Sequence, residues 1–575
     1  MKTKFFILVT ALMLTAAFSF AGAQQEGASA SEATDGGPQY GGTLTVLHQR
    51  SMGDPPSPAQ SDCQVEAIDG MLANIQEHGL LGNVQDYGGM GTGEFMFEYS
   101  DYIPWKYVTG HLIEDWEVSY DKAILHIRQG VYWSPNEDQK SWMPEREMTA
   151  EDIAFDINSF KDASWGSRFD GVLAGDVYAE DKYTVVCEFE NFNNQFIYYI
   201  GFEDRAVYSP PELEDNNPQL WESQVGTGPY MFESYTIGSN MKFVKNPNYW
   251  NKTTIDGEEY QLPFVDELVF PIVPDASTQM AAIRTGKVDF QMDVQIGQWD
   301  TYDGISDGLN MASCAIGSGY AIGLNCTQPP FDNKLVRQAV TVGTDMTQFA
   351  KYLKSNDQPK RFHPSSPKNP TIFIPDNELP EDVAALYSGD VELAKKMLAE
   401  AGYPDGFDTT IYTRSLAIAQ DIAAMVENQW SKLGIDADIE VMDPSALAQV
   451  QYAVSYDGAL VSTIDAANPI IVLYSEGTTG AYYNFSGWSD AGFDAKIAEL
   501  QQEIDVDRQN ELIKEGSLMM MEAAPYVPLA PRTIRAYYWD WVQNYYGEFS
   551  LSDGGVHELI PYMWIDEKIK KDLGF

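Results

Sequence analysis

No stretch of this chain restricts the backbone more than Gly226-Thr227-Gly228-Pro229-Tyr230, followed by Lys245-Asn246-Pro247-Asn248-Tyr249-Trp250. Glycine permits positive φ and close backbone approach, and Pro229 stiffens the chain directly after the pair. The segment reads as a glycine–proline turn feeding a strand pair that ends in an aromatic corner. Further strand signals follow the Tyr40-Gly41-Gly42 turn and lie around Trp116, over Ala123–Ile127 and over Thr184–Phe189. Helix signals alternate with them. Thr149-Ala150-Glu151-Asp152 is a capped helix start. Ala276–Phe290 reads as helix, tight turn at Thr285-Gly286-Lys287, then strand. Phe331–Ala350 is helical after the Pro329-Pro330 breaker, and Ile418–Leu433 is an amphipathic helix stopped by Gly434. Over Asp390–Ala401, residues Leu393, Ala394, Met397, Leu398 and Ala401 share one face. There Asp390 is placed to cap, Glu392 to pair with Lys396, and Gly402 to end the helix. The alternation implies an α/β protein, and 575 residues exceed one ordinary core, so two or three domains are expected.

The first residues have the form of an export signal: Lys2 and Lys4, an apolar stretch Phe5–Phe20, and the small-residue site Ala21-Gly22-Ala23. The mature chain is expected to begin near Gln24 with a flexible leader, Gln24–Pro38, and to stay in the periplasm. No cysteine near the cleavage site offers a lipid anchor, and no later apolar run is long enough to cross a bilayer. A formal charge of -49 excludes nucleic-acid binding, which needs basic surface, and disfavours docking on anionic lipid. Of Cys63, Cys187, Cys314 and Cys326, Cys314 and Cys326 are nearest in sequence. Export permits a disulfide between them, and buried free thiols are the alternative.

An ordered series of segments resembles the family 5 extracellular solute-binding proteins of bacterial ABC importers. It comprises Gly41–Val46, Leu112–Ser119, Ile127–Trp133, Met148–Ile153, the Gly226–Trp250 stretch, Ala282–Phe290, Pro329–Asn333 with Val336–Ala339, Ala394–Phe407, Leu433–Ile435 and Ala524–Leu529. The resemblance implies a type II periplasmic-binding fold: two α/β lobes with a hinged cleft plus an extra smaller domain. It implies a discontinuous lobe I (residues 39–59, 210–310 and 531–575), an extra domain (60–209) and lobe II (311–530). Solute would bind between the lobes, and the closed form would be read by an inner-membrane ABC permease. The expected solute is peptide-like, with oligosaccharide as the alternative; a secreted hydrolase and a ligand sensor for a membrane receptor are the readings from other classes. The protein is expected to be a monomer. Trp116 and Trp250 are expected in the scaffold. The run Tyr87–Gly93 departs from the family pattern and reads as a surface loop or a flap near the cleft.

His48, His78, His111, His126, His363 and His557 show no metal-ligand spacing, and there is no nucleophile elbow and no dinucleotide fingerprint, so neither a cofactor nor catalysis is expected. Asp465, in Ile464-Asp465-Ala466-Ala467-Asn468-Pro469, is similar in place to the aspartate that holds a peptide's α-ammonium in relatives, although Asn468 stands where an acidic residue is usual. A carboxylate in a water-poor cleft makes a strong charge-assisted contact with an ammonium; the alternative is an aspartate capping local backbone. Gln49 and Arg50 follow the opening strand, where strand ends face a crevice. Arg50 is suited to a ligand carboxylate or to pairing with surplus acid. Asn484 and Trp488 follow the Asp465 loop as further ligand contacts.

Overall fold

The computed structural model describes residues 37–47, 71–98, 102–163, 166–203, 206–355, 358, 361–465, 467–552 and 555–575. The signal segment, nearly all of the leader, Cys63, Gln49 and Arg50 lie outside the described residues.

Ten strands form one sheet. In chain order they are β1 (Thr43–Leu47), β2 (Tyr230–Thr236), β3 (Asn240–Lys245), β4 (Glu267–Pro271), β5 (Phe290–Gln291), β6 (Leu309–Leu324), β7 (Asp408–Arg414), β8 (Asp436–Met442), β9 (Ala459–Asp465) and β10 (Tyr526–Trp539). Their spatial order is β2-β3-β4-β1-β5-β10-β6-β9-β7-β8. β6 and β10 pair antiparallel from Leu309↔Trp539 to Gly323↔Tyr526 and so run through both halves of the sheet. Their ladder breaks between Ala315 and Gly319, opposite Thr533 and Pro531. Proline has no N–H to give a ladder, and the irregularity falls where the two halves meet.

Distinct hydrophobic cores flank this sheet. One surrounds β1, β4 and the start of β6, and includes the stacked Trp539 and Trp541. Met71, Leu72, Ile75, Leu81, Val84 and Phe97 belong to it. A second core lies between a four-stranded antiparallel sheet (Ile113–Val118, Lys122–Ile127, Thr184–Glu188, Tyr178–Asp181) and the helix Ala150–Asp162. Around β9 the period-two alternation of a strand sends neighbours to opposite faces. Val461 packs with Ile411, Val426 and Trp430 on one face, and Leu460 and Ile464 pack with Leu473, Phe493 and Leu512 on the other.

Local signals place the helix ends. Thr149 and Asp152 close a capping box on Ala150–Asp162. Asp390 accepts from Leu393 N at 2.9 Å to start Val391–Glu400, and Gly402 beyond it has φ 98°. Within that helix Glu392 pairs with Lys395 at 3.3 Å, one residue short of the expected Lys396, which lies 3.9 Å from Glu400. The segment after Pro329-Pro330 divides into Lys334–Val342 and Met346–Tyr352, because Gly343 ends the first helix and Asp345 caps the second. Cys187 and Cys326 are free thiols, so Cys326 forms no disulfide with Cys314. Cys314 lies inside β6 and Cys326 just past its end, so extended backbone, rising about 3.3 Å per residue, holds that pair apart.

The glycine–proline turn has a specific task. A Cβ on Gly226 would lie 1.9 Å from the Ile75 carbonyl oxygen, and Gly228 N donates to the same oxygen at 2.8 Å. That approach brings the buried Glu77 against the aromatic corner. Thr227 Oγ1 (2.7 Å), Tyr249 OH (2.8 Å) and Trp250 Nε1 (3.1 Å) donate to its carboxylate, and His111 Nε2 lies 2.7 Å away. Arg128 covers the other side of Trp250, 4.7 Å from a ring centroid. Burial alone pushes the Glu77 pKa up, but His111 and the hydrogen bonds from His111, Thr227 and Trp250 outweigh it and hold it below the ordinary glutamate value. The Tyr87–Gly93 run is pinned at its root by Gly89 N donating to Glu548 Oε1 at 2.6 Å. Glu98, just beyond it, pairs with Lys368 of the other half.

Replacing Glu77 by alanine strips the acceptor from this cluster. Each buried donor left unmet costs about 1–3 kcal/mol, so urea unfolding is expected to show a loss of roughly 3 kcal/mol or more. Because the folded pKa is depressed, the carboxylate's stabilisation is complete above the unfolded value of about 4.3 and is lost as pH falls through the lower folded value. The gap between wild type and Glu77→Gln should therefore narrow below about pH 4; a gap independent of pH would refute this account.

Candidate functional site

β7 runs parallel to both β8 and β9, so the carboxyl ends of all three strands share one sheet edge. Open α/β sheets present ligand crevices at such edges. Three residues end there: Arg414 on β7, Met442 on β8 and Asp465 on β9. Asp465 pairs with Ser318 of β6, inside the break in the β6–β10 ladder.

The Asp465 backbone is held from below. Its N–H donates to Glu476 Oε1 at 2.8 Å. Glu476 is buried in the single π-helical turn Leu473–Gly477, and its own carbonyl accepts from Tyr526 OH at 2.9 Å. Glu476 Oε2 lies 2.9 Å from Nε2 of the buried His363. The Asp465 carboxylate itself receives no hydrogen bond from any described residue and is reached by solvent. Asn468 caps the helix Pro469–Val472 through Oδ1 and donates from Nδ2 to Gln195 Oε1 at 2.8 Å. An amide both accepts and donates, which a carboxylate at this position could not do. Asn468 thereby ties the Asp465 loop to the region of the four-stranded sheet. Asn194 N, donating to the Gln501 carbonyl at 2.8 Å, makes a second tie of the same kind, and Lys354, 2.8 Å from Asp300, links the two halves of the large sheet.

The electrostatics of this group are set by enclosure. Water touches Asp465, but the surrounding protein mass raises its pKa well above the ordinary aspartate value, to about 7, with Arg532 opposing the rise. Burial raises Glu476 to about 8, opposed by the Asp465 N–H, and burial lowers His363 to about 3. Both shifts select an uncharged Glu476–His363 pair near neutral pH, in which Glu476 keeps its proton and shares a hydrogen bond with Nε2. One carboxylate, Asp465, is thus left to carry charge at the edge. Arg414 has no carboxylate partner among the described residues, in a chain with 85 acidic and 36 basic side chains.

Of the other sequence candidates, the described ones, Asn484 and Trp488, make their hydrogen bonds and ring contacts with residues other than Asp465. Asn484 is buried, and its Nδ2 donates to the carbonyls of Thr478 (2.9 Å) and Trp488 (2.8 Å) while its Oδ1 accepts from Ser486 (2.8 Å). Trp488 packs on Phe493, with centroids 4.8 Å apart. The structure joins these two to each other inside their own loop. Glu476, His363 and Arg414 were not singled out by sequence. A strand ending in arginine before a helix was a usable signal for Arg414, whereas His363 reaches the site from 113 residues away. Among the described residues no cluster of His, Cys, Asp and Glu is arranged to hold a metal ion, and no helix is long and apolar enough to cross a membrane.

A raised carboxyl pKa means that the folded protein retains a proton which the unfolded chain, titrating near 3.9, releases. The Asp465 contribution to stability therefore declines as pH rises from about 4 to 7, and Asp465→Asn removes that share of the decline. The substitution is expected to raise the melting temperature of ligand-free protein at pH 8 by on the order of 1–3 °C, discounted for solvent access, and to leave it unchanged at pH 4. Equal effects at both pH values would contradict the assignment.

The model of bacterial extracellular solute-binding proteins, family 5, matches residues 108–481, more than half of the chain. The chain is 26% identical over 461 residues to heme-binding protein A of Haemophilus influenzae, covering 73% of this chain and 78% of that protein. It is 26% identical over 467 residues to the dipeptide-binding protein of Escherichia coli, covering 74% and 81%. Its fold is similar to that of the periplasmic binding protein DppA of Helicobacter pylori, solved with a peptide, at a TM-score of 0.67 and 20% identity, covering 92% of this chain and 99% of that one. The sheet order, the long crossing strands and these matches define a type II periplasmic-binding fold, and the chain belongs to the bacterial extracellular solute-binding proteins of family 5.

Proposed function

We propose that this protein is the periplasmic solute-binding component of an ABC importer, that it captures a short peptide or a solute of like charge, and that it delivers it to an inner-membrane permease as a monomer. The observation that carries this reading is the Asp465 carboxylate: solvent-reached, bonded by no protein donor, and backed by a pair that stays uncharged. An ammonium supplies the missing donors. Arg414 supplies the complementary end. The register Ile411↔Ala459 sets Arg414 three residues short of the level of Asp465 on the neighbouring strand, about 10 Å along and about 4.8 Å across. That spacing suits a zwitterion whose ammonium and carboxylate are separated by one to three residues of extended chain. The relatives named for dipeptide binding and solved with peptide support the same class.

In this reading lobe I comprises residues 39–59, 210–310 and 531–575, the extra domain 60–209 and lobe II 311–530. The core around β1, the core of the four-stranded sheet, and the two cores flanking β9 support a division of this kind, with Met71–Phe97 packed against lobe I. β6 and β10 form the hinge. Ligand held by both lobes favours the closed form to the extent that it binds that form better. Gln49 and Arg50 at the end of β1 are read as lobe I contacts, while Asn484 and Trp488 support the loop behind Asp465. The signal is read as cleaved near Ala23.

Thermal unfolding of the mature protein against short peptides and oligosaccharides tests the solute class; a ligand at about 100 times its Kd stabilises by roughly 2.7 kcal/mol. Peptides are expected to shift the transition, and Asp465→Ala to abolish the shift. Arg414→Ala is expected to weaken a free-acid dipeptide by about tenfold or more while sparing its C-terminal amide. Since only the Asp465 anion attracts an ammonium, affinity should fall about tenfold per pH unit below about 7 and level off above it. Retained affinity in Asp465→Ala would end the anchor reading.

A further inference from the structure

We propose that Arg532 is a specificity residue: it binds a side-chain carboxylate on the same solute residue that carries the ammonium, so that the preferred solutes are short peptides beginning with glutamate or aspartate. The proposal rests on the reading of Asp465 as the ammonium anchor. The strand register places Arg532 beside that anchor. Gly319 of β6 pairs with Pro531 of β10 on one side and with Ile464 of β9 on the other. One residue along each strand stand Ser318, Arg532 and Asp465, and Ser318 pairs directly with Asp465. The three form one row across β10, β6 and β9. Neighbouring strands lie about 4.8 Å apart, which sets the Cα atoms of Arg532 and Asp465 about 10 Å from each other.

Side chains alternate along a strand, so the row points to the face opposite Gly319, Ile464 and Pro531. That opposite face is filled: Phe362 is buried with Ile464, and a Cβ on Gly319 would lie 2.2 Å from the Phe362 Cζ. The face of the row is open, with Asp465 exposed and Arg532 partly exposed. The protein satisfies none of its three side chains. The Asp465 carboxylate and the Ser318 hydroxyl have no hydrogen bond with any described residue, and Arg532 has neither a hydrogen bond nor an ion pair among them. Arg535, three residues further along β10, shows the contrasting case: it pairs with Asp303 at 3.0 Å and covers Trp299 at 4.3 Å from the ring centroid. Backbone geometry accounts for the unmade pair. Ala315 pairs with Thr533 and Gly319 with Pro531, so Ile316, Gly317 and Ser318 stand opposite Arg532 alone, and this bulged strand lies between the two charges. Arg532 still acts on Asp465, since it opposes the rise in the Asp465 pKa. A guanidinium offers a carboxylate two parallel donors, and the Ser318 hydroxyl between the charges can add a third. In glutamate the side-chain carboxylate lies about 5 Å from the α-ammonium, which fits between Asp465 and Arg532 once both side chains reach inward. The strand order puts β10 and β7 on opposite sides of β9. A first residue anchored at Asp465 thus sends its side chain toward Arg532 and its backbone toward Arg414.

The test is calorimetric titration of the full mature protein with glutamyl-alanine, glutaminyl-alanine, alanyl-glutamate and alanyl-alanine. The wild type is expected to bind glutamyl-alanine about tenfold or more tighter than glutaminyl-alanine, and tighter than alanyl-glutamate. Arg532→Gln should erase that advantage by weakening glutamyl-alanine far more than glutaminyl-alanine, and binding of glutaminyl-alanine by the variant confirms its fold. Arg532→Lys should keep part of the advantage, because the charge remains and the fork is lost. A wild type that does not prefer glutamyl-alanine, or a preference that survives Arg532→Gln, overturns the role of Arg532 and leaves the anchor intact. Equal weakening of all four peptides by Arg532→Gln assigns Arg532 to the terminal carboxylate and overturns the side-chain role. An acidic preference lost in Arg532→Gln, with glutamyl-alanine still bound by Asp465→Ala protein, supports Arg532 and overturns the anchor. Failure of all four peptides to bind overturns both.

Discussion

The pairing of β6 with β10 is the constraint on which the rest of the structure depends. These two strands cross from one half of the sheet to the other, and every other strand is ordered outward from them. On one side β10 meets β5, and on the other β6 meets β9. A sheet continuous through both halves transmits position with little slack, yet the ladder is irregular within one short stretch, between Ala315 and Gly319 and again between Tyr320 and Ala321. Missing ladder bonds lower the local cost of bending. The same break receives the end of β9, so the aspartate at that end sits where any change of angle between the halves is felt most.

A second constraint acts on charge. Burying carboxyl groups costs free energy unless they are paired or neutralised, and the protein uses both solutions. Glu77 is surrounded by donors and stays anionic, which knits the glycine–proline turn, the aromatic corner and His111 into one unit. Glu476 has a histidine and a backbone N–H and remains protonated near neutral pH. The first arrangement makes a scaffold. The second makes a support that adds no charge of its own behind Asp465. The raised pKa of Asp465 is the consequence of placing an unbonded carboxyl in that enclosure.

Several features were legible in the sequence because their physics is local. The helix starts at Thr149 and Asp390 are bonds between residues three apart, and Gly402 and Gly434 mark helix ends through backbone conformations that other residues avoid. The α/β alternation follows from the same local periodicities. The glycines of the Gly226 turn signalled a close approach, although what approaches them, the Ile75 carbonyl and Glu77, was not legible. The one-residue difference in the Glu392 pairing shows how weakly exposed ion pairs are specified, since rotamers of long side chains reach either partner at similar cost.

What the sequence by itself determined was therefore the class of the chain, the helix starts at Thr149 and Asp390, the glycine–proline turn, and Asp465 as a loop aspartate, which the structure places at the end of a strand. Tertiary structure alone decided the company Asp465 keeps. The Glu476 and His363 side chains meet across 113 residues, and Arg414 joins the same edge only because β7 and β9 run parallel. It also decided that the Asn484 amide bonds within its own loop and that Cys314 and Cys326 stand apart on extended backbone. The physical reason is common to all of these. Caps and turns are settled by neighbours a few residues away, whereas pairing, burial and the resulting charge states depend on which distant segments the sheet brings together.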